Sequence, residues 1–476
     1  MMRQALLEMR IMMSGSKRMT LDVYMGGKQK IATIAISTGD ESDIQWEYEP
    51  SWIKTGFPIS PYIPFDAKPS ARAVRNYLQN LLPEGKGLED ITTNTTVSKN
   101  NTFGLIRIIG EETSGALSFL STSEHSKQTS FRTISNDELG EKLASLTHTG
   151  DSITYWDGQT RLSVAGVQDK LNLLCIEDQF GFGEGELCSN KIFKFETGKA
   201  PFIAINEFFT MRLAQLSGIE TPHVSLAQFG ATRTFIIDRF DRHYSPENHR
   251  VLRRHVIDGC QASNLPPSYK YERQFGDEGD GKFMRDGVSF RQLFQIKTTN
   301  QPSYHLKLIQ WMTFNLLVRN YDAHGKNISY FVGKNGLTVT PFYDLVNIEA
   351  IIREANRQAG RELKEDRSNS ISRHYAMSIG EYEPATEGNF SNPITAYMLA
   401  DFALTFEISL PRLQLTMTKM TQSVIDSIQA AKAAAYEYSL DESEKKHIDL
   451  CIDVIQESAE QLMLEIEQIT HMEDLL

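Results

Sequence analysis

The sequence predicts an α+β fold, with strands and helices mixed over the first part of the chain and helices dominating after about residue 300. Two periodicities carry this reading. Around Gly26-Gly27 the apolar residues follow a strand pattern, with Leu21, Val23 and Tyr24 before the turn and Ile31, Thr33, Ile34 and Ile36 after it. Near the end of the chain Ile455, Ala459, Leu462, Ile466 and Ile469 recur every three or four residues, as one face of a helix requires. With 476 residues, 40% of them hydrophobic, the chain has material for more than one core.

Taken in order, residues 20 to 50 read as an antiparallel hairpin. From Pro69 a helical pattern follows through Val74, Tyr77, Leu78, Leu81 and Leu82, with a stop at Pro83-Glu84-Gly85. Ala116 to Leu120 is strand-like, and the Ser- and Thr-rich stretch Ser121 to Ser130 is a candidate linker. Leu171 to Ile176, Ile192 to Phe195 and Thr232 to Ile237 are candidate strands. Between the last two lies a helix whose positions Phe209, Leu213 and Leu216 share a face, with Gly218 as its terminator. Trp311, Phe314 and Leu317 read as helical core.

Composition excludes several classes. Sixty-one acidic against 49 basic residues give a net charge of -12, so the average field of the chain repels nucleic acid, although a local basic patch is not ruled out by a sum. Cys175, Cys188, Cys260 and Cys451 lack metal-ligand spacing and read as thiols of a reducing compartment. No run approaches the roughly eighteen apolar residues of a membrane span. Glu8 and Arg10 interrupt the apolar core that a signal peptide needs, so a cytoplasmic protein is expected, with residues 1–18 as an N-terminal extension.

The stretch from Arg319 to Asn327, followed by Pro341-Phe342-Tyr343-Asp344, carries the chemistry. Phosphoryl transfer needs a carboxylate beside the attacking hydroxyl and oxygen ligands for the magnesium ions that neutralise the triphosphate. Asp322 and Asn327 have the Asp-x-x-x-x-Asn spacing that protein kinases use for these tasks, and Asp344 follows seventeen positions later. Between them Ser329 to Val332 and Leu337 to Thr340 read as a hairpin delivering Asp344. Lys326 is placed to touch the transferring phosphate. By itself the Asp-Asn spacing is common by chance in capped loops. Upstream, however, Lys194 sits in a strand, Glu207 follows as a partner for it, and Ser163-Val164-Ala165-Gly166-Val167-Gln168-Asp169-Lys170 joins two strands as a loop that can cover phosphates. A lone strand lysine is more often an exposed edge charge, and this loop has one glycine only. The order of the parts is that of a protein kinase.

These residues resemble the HipA family of bacterial toxin kinases over nearly the whole chain from about Met19. The resemblance rests on Asn76 to Gly85, Ser114 to Leu117, Ser163 to Lys170, Asp238 to Arg242, Cys260 to Ala262, Leu265 to Glu272, Asp322 to Asn327 and Pro341 to Asp344. It implies a two-lobed protein-kinase-like fold, with an α/β N-terminal lobe, an all-helical C-terminal lobe and ATP between them. The corresponding division is 19–125 for an N-terminal subdomain, 126–240 for the rest of the upper lobe and 241–476 for the helical lobe. By position, Asp322 is then the catalytic base, Asn327 and Asp344 are the Mg2+ ligands and Lys194 contacts the nucleotide phosphates. Ala165, Gly166, Val167, Gln168, Asp169 and Lys170 form the phosphate loop, and the backbone of Asp238, Arg239 and Phe240 forms the adenine hinge. His324, Gly325, Lys326 and Tyr343 complete the nucleotide site, and Ser163 is the autophosphorylated serine.

The resemblance further implies a helix-turn-helix antitoxin, similar to HipB, that neutralises the kinase and brings it to operator DNA at the nucleoid. It implies a protein substrate such as an aminoacyl-tRNA synthetase, whose phosphorylation leads to growth arrest or persistence. Two positions depart from the family pattern. Asp238 stands where Glu is expected, and Gly325, where Ala is usual, is expected to loosen the loop. The charged stretch Arg353 to Ser372 reads as a solvated loop, with contact to DNA or antitoxin as the alternative. At the level of function, a catalytically dormant co-repressor that shapes an antitoxin–DNA complex is the alternative, and a small-molecule or lipid kinase is a third.

Overall fold

The computed structural model describes residues 18–37, 41–93, 95–121, 128–149, 152–160, 168–198, 200–276, 279–361, 372–380 and 394–475. The expected hairpin is present as strands Met19–Met25 and Gln29–Ile36, which pair antiparallel. Gly26 and Gly27 turn the chain with φ of 60° and 75°, a left-handed region open to glycine because no Cβ meets the backbone. Gln45–Tyr48 and Leu117–Ser121 complete a four-stranded antiparallel sheet. Leu21, Val23, Ile31 and Ile34 share one buried core with Val74, Tyr77 and Leu78 of the helix Ala71–Gln79. Ser70 caps that helix by accepting from the Ala73 N–H.

A second sheet of six strands runs in the order Val224–Phe229, Thr232–Asp238, Lys191–Phe195, Lys170–Ile176, Gln179–Glu184 and Ser130–Ile134. The helix Ile203–Leu216 packs between this sheet and the long C-terminal helix Leu410–Tyr436. Phe209 and Leu213 are buried in that contact, but Leu216 is 41% exposed, so the expected stripe stops one turn short. The helix is already unwinding there, through Ser217 to Gly218 at φ 92°.

The part after residue 241 is built on long helices, Gln301–Leu317, Leu410–Tyr436 and Glu442–Gln468, and the late apolar stripe from Ile455 to Ile469 is buried as expected. Trp311, Phe314 and Leu317 are core, with Trp311 stacked on Phe342 at 5.7 Å. It is not all-helical. Arg242–Ser245 pairs with Arg250–Arg253, and Val256–Asp258, Ser329–Gly333 and Gly336–Val339 form a three-stranded sheet. The two-strand hairpin after Asn327 is marginal alone, and the third strand, Val256–Asp258, covers its open edge.

The stretch from Arg353 also departs from expectation. The helix Ile348–Gln358 runs into it, and Arg353 is buried between Glu349 at 2.9 Å and Glu457 at 2.8 Å. Residues 362–371 of that stretch, residues 1–17 of the extension, 122–127 of the linker and 163–167 of the phosphate loop lie outside the described residues. Cys175, Cys188, Cys260 and Cys451 are free thiols. Among the described residues no helix is long and apolar enough to cross a membrane.

A buried ionic cluster docks the first sheet onto the second. Asp241 accepts from Arg239 Nη2 at 2.9 Å, from Arg242 Nη1 at 2.6 Å and from the Gly115 N–H at 2.9 Å. Gly115 holds φ 75°, and a Cβ on it would fall 2.9 Å from the Val256 nitrogen, so this close approach needs glycine.

Candidate active site

The helix Gln301–Leu317 ends at its cap Val318, and the next residue, Arg319, turns the chain with a φ of 47° and donates from its guanidinium to Ser458 Oγ at 2.7 Å. That bond anchors the following loop on the C-terminal helix. Within the loop Asn320 Oδ1 accepts from the Asp322 N–H at 3.2 Å, and Asn327 Nδ2 donates to the Asp322 carbonyl at 2.8 Å. The second bond explains the spacing. Asn327 closes the loop with its amide nitrogen, and its amide oxygen is left for a cation. The His324 Nδ1 accepts from the Lys326 N–H at 3.3 Å, and burial lowers the His324 pKa, so the ring is neutral with its proton on Nε2.

Tyr343 straps the hairpin to this loop by donating to the Lys326 carbonyl at 2.6 Å, with Ser329 Oγ also at 2.6 Å. Asp344 follows in the left-handed region, φ 54°, a strained setting for a non-glycine residue that aims its carboxylate at Lys194. Lys194 is no edge lysine. It lies in a central strand, buried, with Glu207 Oε1 at 2.6 Å and the Asp344 carboxylate in contact. Burial opposes its charge, but Asp344 and Glu207 outweigh burial and raise its pKa. Burial would raise Asp344, yet Lys194 and Lys170 bring it down to about 2. Glu207 bears the burial penalty of the trio and is pushed up to about 7. Lys170 pairs in register with Lys194, and burial together with the Lys194 charge lowers it to about 8. Two adjacent buried ammonium groups are thus set beside two carboxylates, at the point where strand and hairpin meet.

At the hinge the Asp238 N–H donates to the His223 carbonyl at 2.9 Å and the Arg239 N–H to the Asn190 carbonyl at 2.9 Å. The Asp238 side chain is held by Lys191, and that of Arg239 points into the Asp241 cluster. Every described residue expected at the site except Gly325 lines one cavity of about 830 Å³. These include Asp322, Asn327, Asp344, Lys194, Lys170 and the hinge residues. Gly325 lies behind it, where a Cβ would sit 2.5 Å from Val288 Cβ; Val288 thus packs tightly against the loop at this position, which corrects the expectation of looseness. Ser163, Ala165, Gly166 and Val167 are outside the described residues.

Lys326, expected on the transferring phosphate, is engaged elsewhere. Its ammonium donates to Asp258 Oδ2 at 2.6 Å and to both oxygens of Asn80 at 3.1 Å. Asn80 and Glu84 belong to the N-terminal unit, and Glu84 also pairs with Lys270 at 2.7 Å. The sequence assigned no role to Asn80, Glu84, Asp258, Lys270 or Tyr271, whose phenol donates to Asp322 Oδ1 at 2.6 Å. All except Asp258 fall in stretches that carried the family resemblance, which was the available signal. Among the described residues no group of three or more His, Cys, Asp or Glu side chains is placed to hold a metal by itself. Asn327 and one carboxylate, Asp344, fit magnesium, which keeps waters and takes its remaining ligands from phosphate oxygens.

Fold and site together define a two-lobed protein-kinase-like protein. Comparison with known proteins gives the family. Residues 21–120 match the family model of the HipA N-terminal domain, and residues 162–435 that of the HipA-like C-terminal domain. The chain is 40% identical over 393 residues to the serine/threonine-protein kinase toxin HipA of Shewanella oneidensis, spanning 82% of this chain and 84% of that protein. It is 30% identical over 319 residues to a putative kinase of Sinorhizobium fredii, spanning 65% of this chain and 73% of that protein. A solved complex of Shewanella oneidensis HipA, HipB and operator DNA contains a chain that matches with a TM-score of 0.80 at 34% identity, over 94% of this chain and 99% of that one. The chain belongs to the HipA family.

Proposed function

We propose that this protein is an active serine/threonine protein kinase of the toxin–antitoxin type that uses ATP and Mg2+. The observation that carries the reading is the convergence of Lys194, Asp322, Asn327 and Asp344 on one cavity. Asp322 accepts the proton of the acceptor hydroxyl as that oxygen bonds to the γ-phosphorus and the bond from phosphorus to the bridging oxygen of ADP breaks. Lys194 and Lys170 hold the phosphates, and the adenine edge meets the hinge at the Phe240 N–H, since those of Asp238 and Arg239 are already donated. Asn327 and Asp344 hold magnesium, which supplies neutralisation of charge on the leaving phosphates. Purified protein is expected to transfer labelled phosphate to protein in a magnesium-dependent way, and Asp322→Asn to lose that transfer by 100-fold or more. Equal labelling in both refutes the role of Asp322.

The substrate is proposed to be a protein hydroxyl, with an aminoacyl-tRNA synthetase as the first candidate and growth arrest or persistence as the outcome. A HipB-like helix-turn-helix antitoxin is the proposed partner, supported by the relative whose structure contains HipB and operator DNA. With a net charge of -12, DNA contact falls mainly to the antitoxin. Autophosphorylation of Ser163 is proposed to place a dianion where ATP phosphates bind and so to switch the kinase off. Nucleotide affinity unchanged after that modification would refute this switch. A dormant co-repressor has no use for four intact catalytic and binding groups, which favours the active reading.

A further inference from the structure

The phenol of Tyr271 donates to Asp322 Oδ1 at 2.6 Å, and nothing in the kinase scheme above uses it. Its segment is fixed on both sides by the backbone. The Lys270 carbonyl accepts from the Gly325 N–H of the catalytic loop at 2.8 Å, the Glu272 N–H donates to the Ala376 carbonyl at 3.0 Å, and the Glu272 carbonyl accepts from the Gly287 N–H at 3.0 Å. Glu272 itself is buried and paired with Arg285 at 2.7 Å. Gly287 approaches so closely that a Cβ there would fall 1.8 Å from the Tyr271 carbonyl oxygen. The ring is held edge-on to His324, centroids 5.0 Å apart at 86°, with the Lys270 ammonium 5.4 Å from its centroid. A swinging gate has no need of such a mount, whereas a fixed donor does.

We infer that Tyr271 is a positioning residue for Asp322, holding Oδ1 so that Oδ2 is the oxygen presented to the acceptor proton. Asp322 is exposed, and a solvent-facing carboxylate on a loop otherwise samples several rotamers, of which few align with an incoming hydroxyl. One charge-assisted hydrogen bond from a rigid phenol removes that freedom. The inference rests on the kinase reading and adds to it the group that orients the base.

The test uses magnesium-dependent ATP turnover by the full chain, with water as the acceptor so that no protein substrate need be known, alongside nucleotide affinity and thermal melting. Wild type, Tyr271→Phe, Asp322→Asn and the double variant are compared. Tyr271→Phe is expected to lose roughly 10- to 100-fold in kcat, the worth of a hydrogen bond to a charged group, with KM for ATP, nucleotide affinity and melting temperature unchanged. In the Asp322→Asn background the same change is expected to have no further effect, because its action runs through the carboxylate. Unchanged turnover in Tyr271→Phe overturns the inference, and so does increased turnover, which would make the phenol a plug. An equal loss in the Asp322→Asn background, or a lowered melting temperature, assigns Tyr271 to structure and overturns it too. Wild-type turnover no higher than that of Asp322→Asn fails the kinase reading itself, a result distinct from the others.

Discussion

Asp241→Asn exchanges a carboxylate for an amide of the same shape at the point where the N-terminal unit meets the hinge. The carboxylate receives two bonds from Arg239, at 3.0 and 2.9 Å, one from Arg242 at 2.6 Å and one from the Gly115 N–H at 2.9 Å. All three charged side chains are buried. Burial acts to raise the Asp241 pKa, but the two guanidinium groups outweigh it and hold the carboxyl well below the usual range. In the variant an amide NH2 faces guanidinium donors; Arg239 keeps the Glu112 carboxylate at 3.3 Å, while Arg242 keeps the Thr113 carbonyl at 2.8 Å and loses the carboxylate that neutralised it. Breaking a buried pair from one side costs about 3–5 kcal/mol. Because the folded pKa is depressed, the wild-type advantage is whole above the unfolded value of about 4 and declines as pH falls toward the folded one. Urea titration at pH 7, followed by tryptophan fluorescence, measures the difference. A loss below about 1 kcal/mol, the scale of a surface pair, would refute the claim that this cluster holds the two sheets together.

Further outcomes follow from other sites. His255 and His447 are buried imidazoles that burial lowers to about 4, so the unfolded chain takes up their protons first as pH falls. Stability should drop between about pH 6.5 and 4 by up to about 1.4 kcal/mol per pH unit for each, and His255→Gln should reduce that slope in urea midpoints measured across the range. Gly287→Ala forces a methyl against the Tyr271 carbonyl, backbone that cannot yield. It should cost about 1–3 kcal/mol in a thermal melt and lower ATP turnover although residue 287 touches neither nucleotide nor Asp322. Lys326→Met leaves the partly buried Asp258 carboxylate without its cation and should destabilise by about 1.5–3 kcal/mol, the scale of a hydrogen bond to a charged group, in the same urea assay. Destabilisation under about 1 kcal/mol would mean that Lys326 is free to serve phosphate after all.

The order of Lys194, Glu207, Asp322, Asn327 and Asp344 was legible because each sits at a position where local spacing and chain order carry meaning. The strands and helices that present them were legible too, since hairpin alternation and helical periodicity are written in adjacent residues. Lys326 was assigned to phosphate on adjacency alone, and its partner Asn80 lies 246 positions away, where no local pattern points. Tyr271 was hidden for the same reason: a phenol in a Pro-rich stretch gives no sign that it will face a carboxylate 51 positions on. Arg353 was mistaken for a solvated charge because Glu457, which neutralises it, comes from a helix a hundred residues later. Leu216 erred in the other direction, an apolar residue in register that the end of its helix turns to solvent. The Ser163 loop stays with the sequence reading.

The grip of Asn80 on Lys326 also sets when in its own history the molecule becomes competent. A contact across 246 positions closes one of the longest loops in the chain, and such contacts form after local helices and hairpins are in place. Nucleotide binding during refolding should therefore lag behind the recovery of helical circular dichroism. A nascent chain would hold finished secondary structure and an unset loop from Asp322 to Asn327 for that interval, with the long-range ties of the site the last part of the molecule to form.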